Sequence, residues 1–288
     1  MLGIIFAIIA SFFKGIEKVI HRKILVKEDS LAYAFLWHLI SSIFLLPIAL
    51  YELFKINFVL PSGIEIWGIV LASSGLWALA AYFGFKAYTS LDVGLKDIFG
   101  KSKIIFVFFL SIIFLKEIIT WQKIIGMGVI FIALIIMSYK PGKRFGSLKD
   151  KAVQYTLFSS LIMSCALLLD KYAQNFFTPG TYSFLVYFIP TLMLLPFIFI
   201  SNKKKELKQI YGSQLRWITL SVVLGVSYYY WMLRAFRLED ASIVYPIIEA
   251  SILVTIISAF FYLKEKKDIL KRILCAILIL AGVIVLAI

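Results

Sequence analysis

Phe114-Leu115-Lys116-Glu117 and Tyr262-Leu263-Lys264-Glu265 are one short phrase written twice, 148 residues apart, and each joins two long apolar runs. At the same offset Ala87-Tyr88 falls on Ala235-Phe236, Tyr82 on Tyr230 and Asp92 on Asp240. Earlier in each half the offset is 149, where Phe35-Leu36 pairs with Phe184-Leu185 and Leu45-Leu46-Pro47 with Leu194-Leu195-Pro196. One such match arises by chance in an apolar chain, but a series in one order at nearly one offset marks an internal duplication.

The runs around these phrases set the fold class. Of 288 residues 62% are apolar and 16% charged, against about 45–50% apolar in an ordinary soluble domain, which excludes a soluble fold. A spanning helix needs roughly 20 mostly apolar residues. Ten such runs lie at 1–20, 31–54, 64–88, 93–115, 119–139, 152–173, 180–200, 215–236, 241–263 and 268–288. Stretches such as Ile104–Leu115 and Ile277–Ile288 are apolar on every side, whereas strands of a membrane barrel alternate with polar residues. The first run lacks a basic leader and passes through Lys14–Lys18, so it is expected to remain as the first helix rather than be cleaved. Two polar linkers stand out, Lys140–Lys151 with Pro141-Gly142 and Ser201–Gln214 with Lys203-Lys204-Lys205. The former divides the chain into five-helix repeats at 1–139 and 152–288. Five is odd, so the second repeat enters the membrane in the opposite sense. The expected fold is an all-α polytopic membrane protein with ten transmembrane helices as two inverted five-helix repeats, a common basis of alternating-access transporters.

Ten spans in two repeats, each with a Leu-Lys-Glu turn after its fourth helix and small residues in its last (Gly126 and Gly128; Ala281 and Gly282), resemble the EamA-like drug/metabolite transporter superfamily. The resemblance covers essentially the whole chain, with Glu117 and Glu265 as the acidic turn residues. It implies secondary transport of small metabolites. One departure is that the proline often found midway in the fourth helix is present as Pro246 but replaced by Ile98 in the first repeat.

The net charge of +14 sits largely in short loops beside apolar runs, where anionic lipid headgroups are the expected partners and nucleic acid is not. Loop lysines and arginines gather on the side of Arg22–Lys27, Lys140–Lys151, Lys203–Arg216 and Lys264–Arg272, with few on the side of the N-terminus. The positive-inside rule makes the rich side cytoplasmic and both termini external, while the family resemblance implies cytoplasmic termini. The expected location is the cell membrane, as a multi-pass protein, and a homo-oligomer is compatible with the sequence.

Polar side chains inside spans usually face a cavity or one another. The basic set is Lys14, Lys18, Lys86, Lys96, Lys101, Lys103 and Arg234, and the acidic set Glu17, Asp97 and Glu249, with Asp170 near a span end. The excess of positive groups points to an anionic or zwitterionic substrate, such as an amino acid or phosphorylated compound. Lys101 falls on Glu249 at the 148-residue offset, placing a base and an acid at matching positions of the two repeats, although Asp97 four residues earlier could pair with Lys101 instead. Lys14, Lys101, Glu249, Tyr230 and Arg234 are the expected substrate contacts. Tyr230 and Arg234 share a helix face and could clamp a carboxylate or phosphate. His38 and Glu17 are candidates for relaying a coupled proton, or the coupled species is another cation.

Rival functions are less well supplied. An exporter of lipophilic drug-like compounds would suit a neutral, aromatic cavity. A membrane-embedded enzyme would need a catalytic constellation, and the chain offers no paired His/Asp motif, no Cys-His pair at metal spacing and no glycine-rich phosphate loop. Neither a catalytic residue, a metal site nor a cofactor is therefore expected. Cys165 and Cys275 both fall within apolar runs and read as packing residues.

Overall fold

The computed structural model describes residues 2–56, 58–91, 96, 99–138, 150–262 and 269–287. Among them every regular element is a helix. The helices are α1 (Leu2–Leu25), α2 (Ser30–Phe54), α3 (Ile64–Ser90), α4 (Ser102–Leu115), α5 (Trp121–Ser138), α6 (Lys151–Ala173), α7 (Pro179–Ile200), α8 (Lys204–Phe236), α9 (Ala241–Glu249), α10 (Ile252–Tyr262) and α11 (Ile269–Ala287). They fall on all ten spans expected from the sequence, with α9 and α10 as two halves of the ninth. Asp92, Asp97, Ile98, the Lys140–Lys149 part of the long linker and the second turn at Leu263–Glu265 lie outside the described residues.

Local chemistry explains the helix starts. Asp29 accepts the backbone N–H groups of Leu31 and Ala32 at 3.0 and 2.9 Å, and Asp150 accepts that of Ala152 at 2.9 Å, so each satisfies donors a helix leaves open. Pro179 opens α7, where a missing N–H costs nothing.

Three boundaries differ from expectation. α1 runs on to Leu25, which brings His21 inside the helix. α8 begins at Lys204, not 215, and is 33 residues long. The Lys, Glu and Gln residues of that linker are good helix formers, and Lys203 reaches Glu206 at 3.2 Å, so the segment is helical despite its polarity. The ninth span breaks at Ala250-Ser251. Pro246 lies three residues inside the end of α9, and its ring nitrogen cannot join the backbone ladder.

Five spans, Ser30–Phe54, Ile64–Ser90, Lys151–Ala173, Pro179–Ile200 and Ala241–Tyr262, are long and apolar enough by themselves to cross a membrane. α1 carries Lys14, Glu17 and Lys18 within its length, and all three are buried. The outer surface is the reverse: Ile64, Trp121 and Phe261 are each at least 75% exposed. Polar groups inside and large apolar ones outside are what a lipid solvent selects.

Packing runs mainly between the halves. α1 lies on α8, α3 on α6, α2 on α7, and α5 on α11. Exchanging the halves turns the first two pairings into each other and leaves the last two unchanged. At the α5–α11 contact a Cβ on Gly282 would stand 2.8 Å from the carbonyl oxygen of Gly126, so glycine there lets the two backbones meet.

The Leu-Lys-Glu turn acquires a structural role. Lys116 adopts a left-handed conformation, φ 54°, which ends α4 and swings Glu117 toward the other half. Its carboxylate accepts the N–H groups of Ala241 and Ser242 at 2.8 and 3.2 Å and so caps α9. Lys123 joins Asp240 at 2.8 Å beside it. At the same end Glu52 caps α7 through the N–H groups of Gly180 and Thr181, and Lys171 donates to the carbonyls of Phe236 and Glu239.

Candidate functional site

The break after Glu249 creates the site's centre. The last carbonyls of α9 and the Glu249 carboxylate together make a negative pole, and buried ammonium groups converge on it. Lys101, just ahead of α4, donates to the carboxylate at 2.5 Å and to the Glu249 carbonyl at 2.7 Å. Lys14 of α1 reaches the other oxygen at 2.7 Å. Lys103 and Lys18 stand at 3.7 and 3.9 Å. Lys14 also donates to the Tyr228 hydroxyl at 3.2 Å and lies 4.9 Å from the centre of the Tyr245 ring.

One face of α1 carries the site outward. Lys14, Glu17, Lys18 and His21 are spaced at helical intervals and all are buried. His21 meets the Glu17 carboxylate at 3.1 Å and the Tyr33 hydroxyl at 2.6 Å, and Tyr33 continues to Ser221 at 3.1 Å. Glu17 thus has a histidine partner, but on its own helix four residues on. His38 is elsewhere, packed on Trp37 and Tyr187, with neither ring nitrogen hydrogen-bonded among the described residues.

Lys14, Glu17, Lys18 and His21 border a cavity of about 130 Å³ that is open to the outside. Lys14, Lys18, Lys96 and Lys103 line it, with Glu17 the sole carboxylate among the described lining residues. Aromatic walls come from Trp37, Trp77, Phe85, Tyr88, Tyr187, Tyr228 and Tyr229, and hydroxyls from Thr156, Ser159 and Ser160. The lining residues of α1, α3 and α6 lie from the middle of each helix toward the end where α1 meets α2, so the cavity faces that end, and Tyr228 and Tyr229 of α8 close it on the other side. The opposite end is the one tied by Glu117, Glu52 and Lys171.

Of the residues singled out from the sequence, Lys14, Glu17 and His38 line the cavity, whereas Lys101 and Glu249 stand behind its wall. The Tyr230–Arg234 clamp requires correction. Arg234 is exposed and sits over the Phe6 ring, and Tyr230 packs on Trp231. An unbroken aromatic run covers every face of its helix, and the inward face belongs to Tyr228 and Tyr229. His21 falls one residue beyond the span 1–20 expected from the sequence, and its i,i+4 spacing from Glu17 is the signal that marks it. Trp37 and Tyr187 carried no sequence signal beyond aromaticity.

The EamA-like transporter family model matches residues 1–139 and again 150–288. The chain belongs to the EamA-like transporter family. It is therefore a membrane transporter whose partners are a small molecule and the surrounding lipid. This EamA-like chain also superposes on a solved structure described only as a crystal structure of a protein, with a TM-score of 0.70 and 10% identity, covering 96% of this chain and 94% of that one. At that identity the likeness concerns the fold. No curated protein matches the EamA-like chain significantly.

Proposed function

We propose that this protein is a secondary carrier in the cell membrane for a small organic anion or zwitterion with an apolar or aromatic body. The halves 1–139 and 152–288 are inverted five-helix repeats that rock about the cavity to give alternating access. The observation that carries the substrate class is the cavity wall, where four lysines face one carboxylate. Adding the buried Lys101, Glu249 and Asp170 behind that wall leaves five bases against three acids among the described residues. Such a wall has a positive potential, strengthened by the low dielectric around it, and attracts anions. The aromatic wall favours a second reading, an exporter of lipophilic drug-like compounds.

Uptake into reconstituted vesicles separates the two. The panel is labelled amino acids and sugar phosphates against tetraphenylphosphonium, with and without a pH gradient. Accumulation of an anion or zwitterion, reduced at least tenfold in Lys18→Met and Lys103→Met at matched protein, supports the proposal. Transport of tetraphenylphosphonium alone, unaffected by either substitution, overturns it.

A further inference from the structure

The inner end of the cavity hides a second buried carboxylate that the lysine cluster does not touch. Asp170, in the last turn of α6, is fully buried. Its Oδ1 accepts from Ser73 Oγ at 2.6 Å and the Tyr182 hydroxyl at 2.8 Å; its Oδ2 accepts from Trp77 Nε1 at 2.9 Å and the Tyr229 hydroxyl at 2.8 Å. The four donors come from α3, α7 and α8, so one carboxylate gathers three other helices. Two of the donors, Trp77 and Tyr229, are themselves cavity wall.

Among the described residues no cation answers this charge. α7 presents Tyr182 and, farther off, Tyr187; α8 presents Tyr229 and, farther off, Tyr228; α3 presents only Ser73 and Trp77. Lys171, the next residue of α6, sends its ammonium away to the carbonyls of Phe236 and Glu239. A full charge held inside a membrane protein by neutral donors alone is costly. A proton removes that cost and loosens the cage: the neutral acid accepts more weakly, and one hydroxyl of Ser73, Tyr182 or Tyr229 has to stop donating and turn to accept from it. The indole N–H of Trp77 cannot turn. Facing the carboxylate, it also bars a hard metal cation, which requires oxygen lone pairs around it.

We propose that Asp170 binds the coupling proton, that its ionised form latches α3, α7 and α8 at the inner end of the cavity, and that protonation releases the latch. The proposal rests on the carrier reading above and names the group that would drive it. The buried Glu249 is a poorer proton carrier, because lysines already compensate its charge.

The test needs no substrate. In pH-difference infrared spectra of the full chain in liposomes, acidification is expected to produce a carboxylic-acid C=O band. That band should vanish in Asp170→Asn, persist in Glu249→Gln and change frequency in Tyr229→Phe, which removes one hydrogen bond but leaves the carboxyl. Spin labels at the exposed Leu2 and Leu238, with both cysteines replaced, report the end tied by Glu117. Their separation should lengthen on acidification in the parent chain, and in Asp170→Asn should hold the acid-state distribution at every pH. A band unchanged by Asp170→Asn, or label distances that ignore pH or still follow it in that variant, overturns the proposal. Should Asp170→Asn not fold, an unaltered band frequency in Tyr229→Phe overturns it instead. If band and distances respond while vesicles carry nothing from the panel, the carrier reading fails and the proton site stands.

Discussion

Replacing Glu249 by Gln takes one negative charge from the place where lysines of α1 and the start of α4 converge. The two close contacts, 2.5 Å to Lys101 and 2.7 Å to Lys14, each correspond to about 6 kcal/mol of Coulomb attraction at an effective dielectric of roughly 20. Desolvation of the ions offsets much of that, and removing one partner of a buried pair costs about 3–5 kcal/mol in practice. Glu249→Gln should fall in this range. Lys101→Met should cost less, because Lys14 still holds the carboxylate. In the double variant the two losses should overlap, so that it is less destabilised than their sum by about 2 kcal/mol or more. Reversible unfolding of the purified protein in mixed micelles by sodium dodecyl sulfate, followed by tryptophan fluorescence, measures all three. Single costs that add to within about 0.5 kcal/mol, or a Glu249→Gln cost below about 1 kcal/mol, would show that the cluster does not hold α1, α4 and α9 together.

Glu117→Ala removes the cap of α9, should cost about 1 kcal/mol, and should speed amide hydrogen exchange at Ala241 and Ser242 ahead of the rest of the helix. Gly225→Ala would push a methyl against the Glu17 carboxylate and to 2.8 Å from Trp37 Cζ2; an overpacking cost of about 1–3 kcal/mol is expected in the same unfolding assay. With Cys165 and Cys275 replaced, Lys204→Cys should resist an impermeant maleimide in intact cells and react after permeabilisation. Labelling in intact cells would reverse the orientation drawn from the loop charges.

What could be read from the sequence divides along a physical line. Hydropathy and offset are properties of long stretches, so the spans, the duplication and the equivalence of Lys101 with Glu249 were legible before any coordinates. Three-dimensional convergence is not such a property. Nothing in one dimension tells which two of Tyr228, Tyr229 and Tyr230 turn inward, since helix rotation is set by packing against α1 and α2. Nor does it tell that Asp170 would collect donors from three helices: Ser73 and Trp77 are four apart on α3, but no spacing links them to Tyr182 or Tyr229 on other helices. The Leu-Lys-Glu turn was legible as a repeat marker, but its action is on the opposite half, which a local reading does not reach.

That action has a consequence for biosynthesis. Glu117 is made 124 residues before Ala241, whose N–H it accepts. At roughly 5–20 residues per second the carboxylate stands at the rim of the bilayer for about 6–25 s before the helix it completes leaves the ribosome. The first half therefore cannot finish its own edge during translation. A chain stalled before residue 241 carries at that edge a carboxylate with Lys123 beside it, 3.8 Å away, but without the backbone donors that the finished protein supplies.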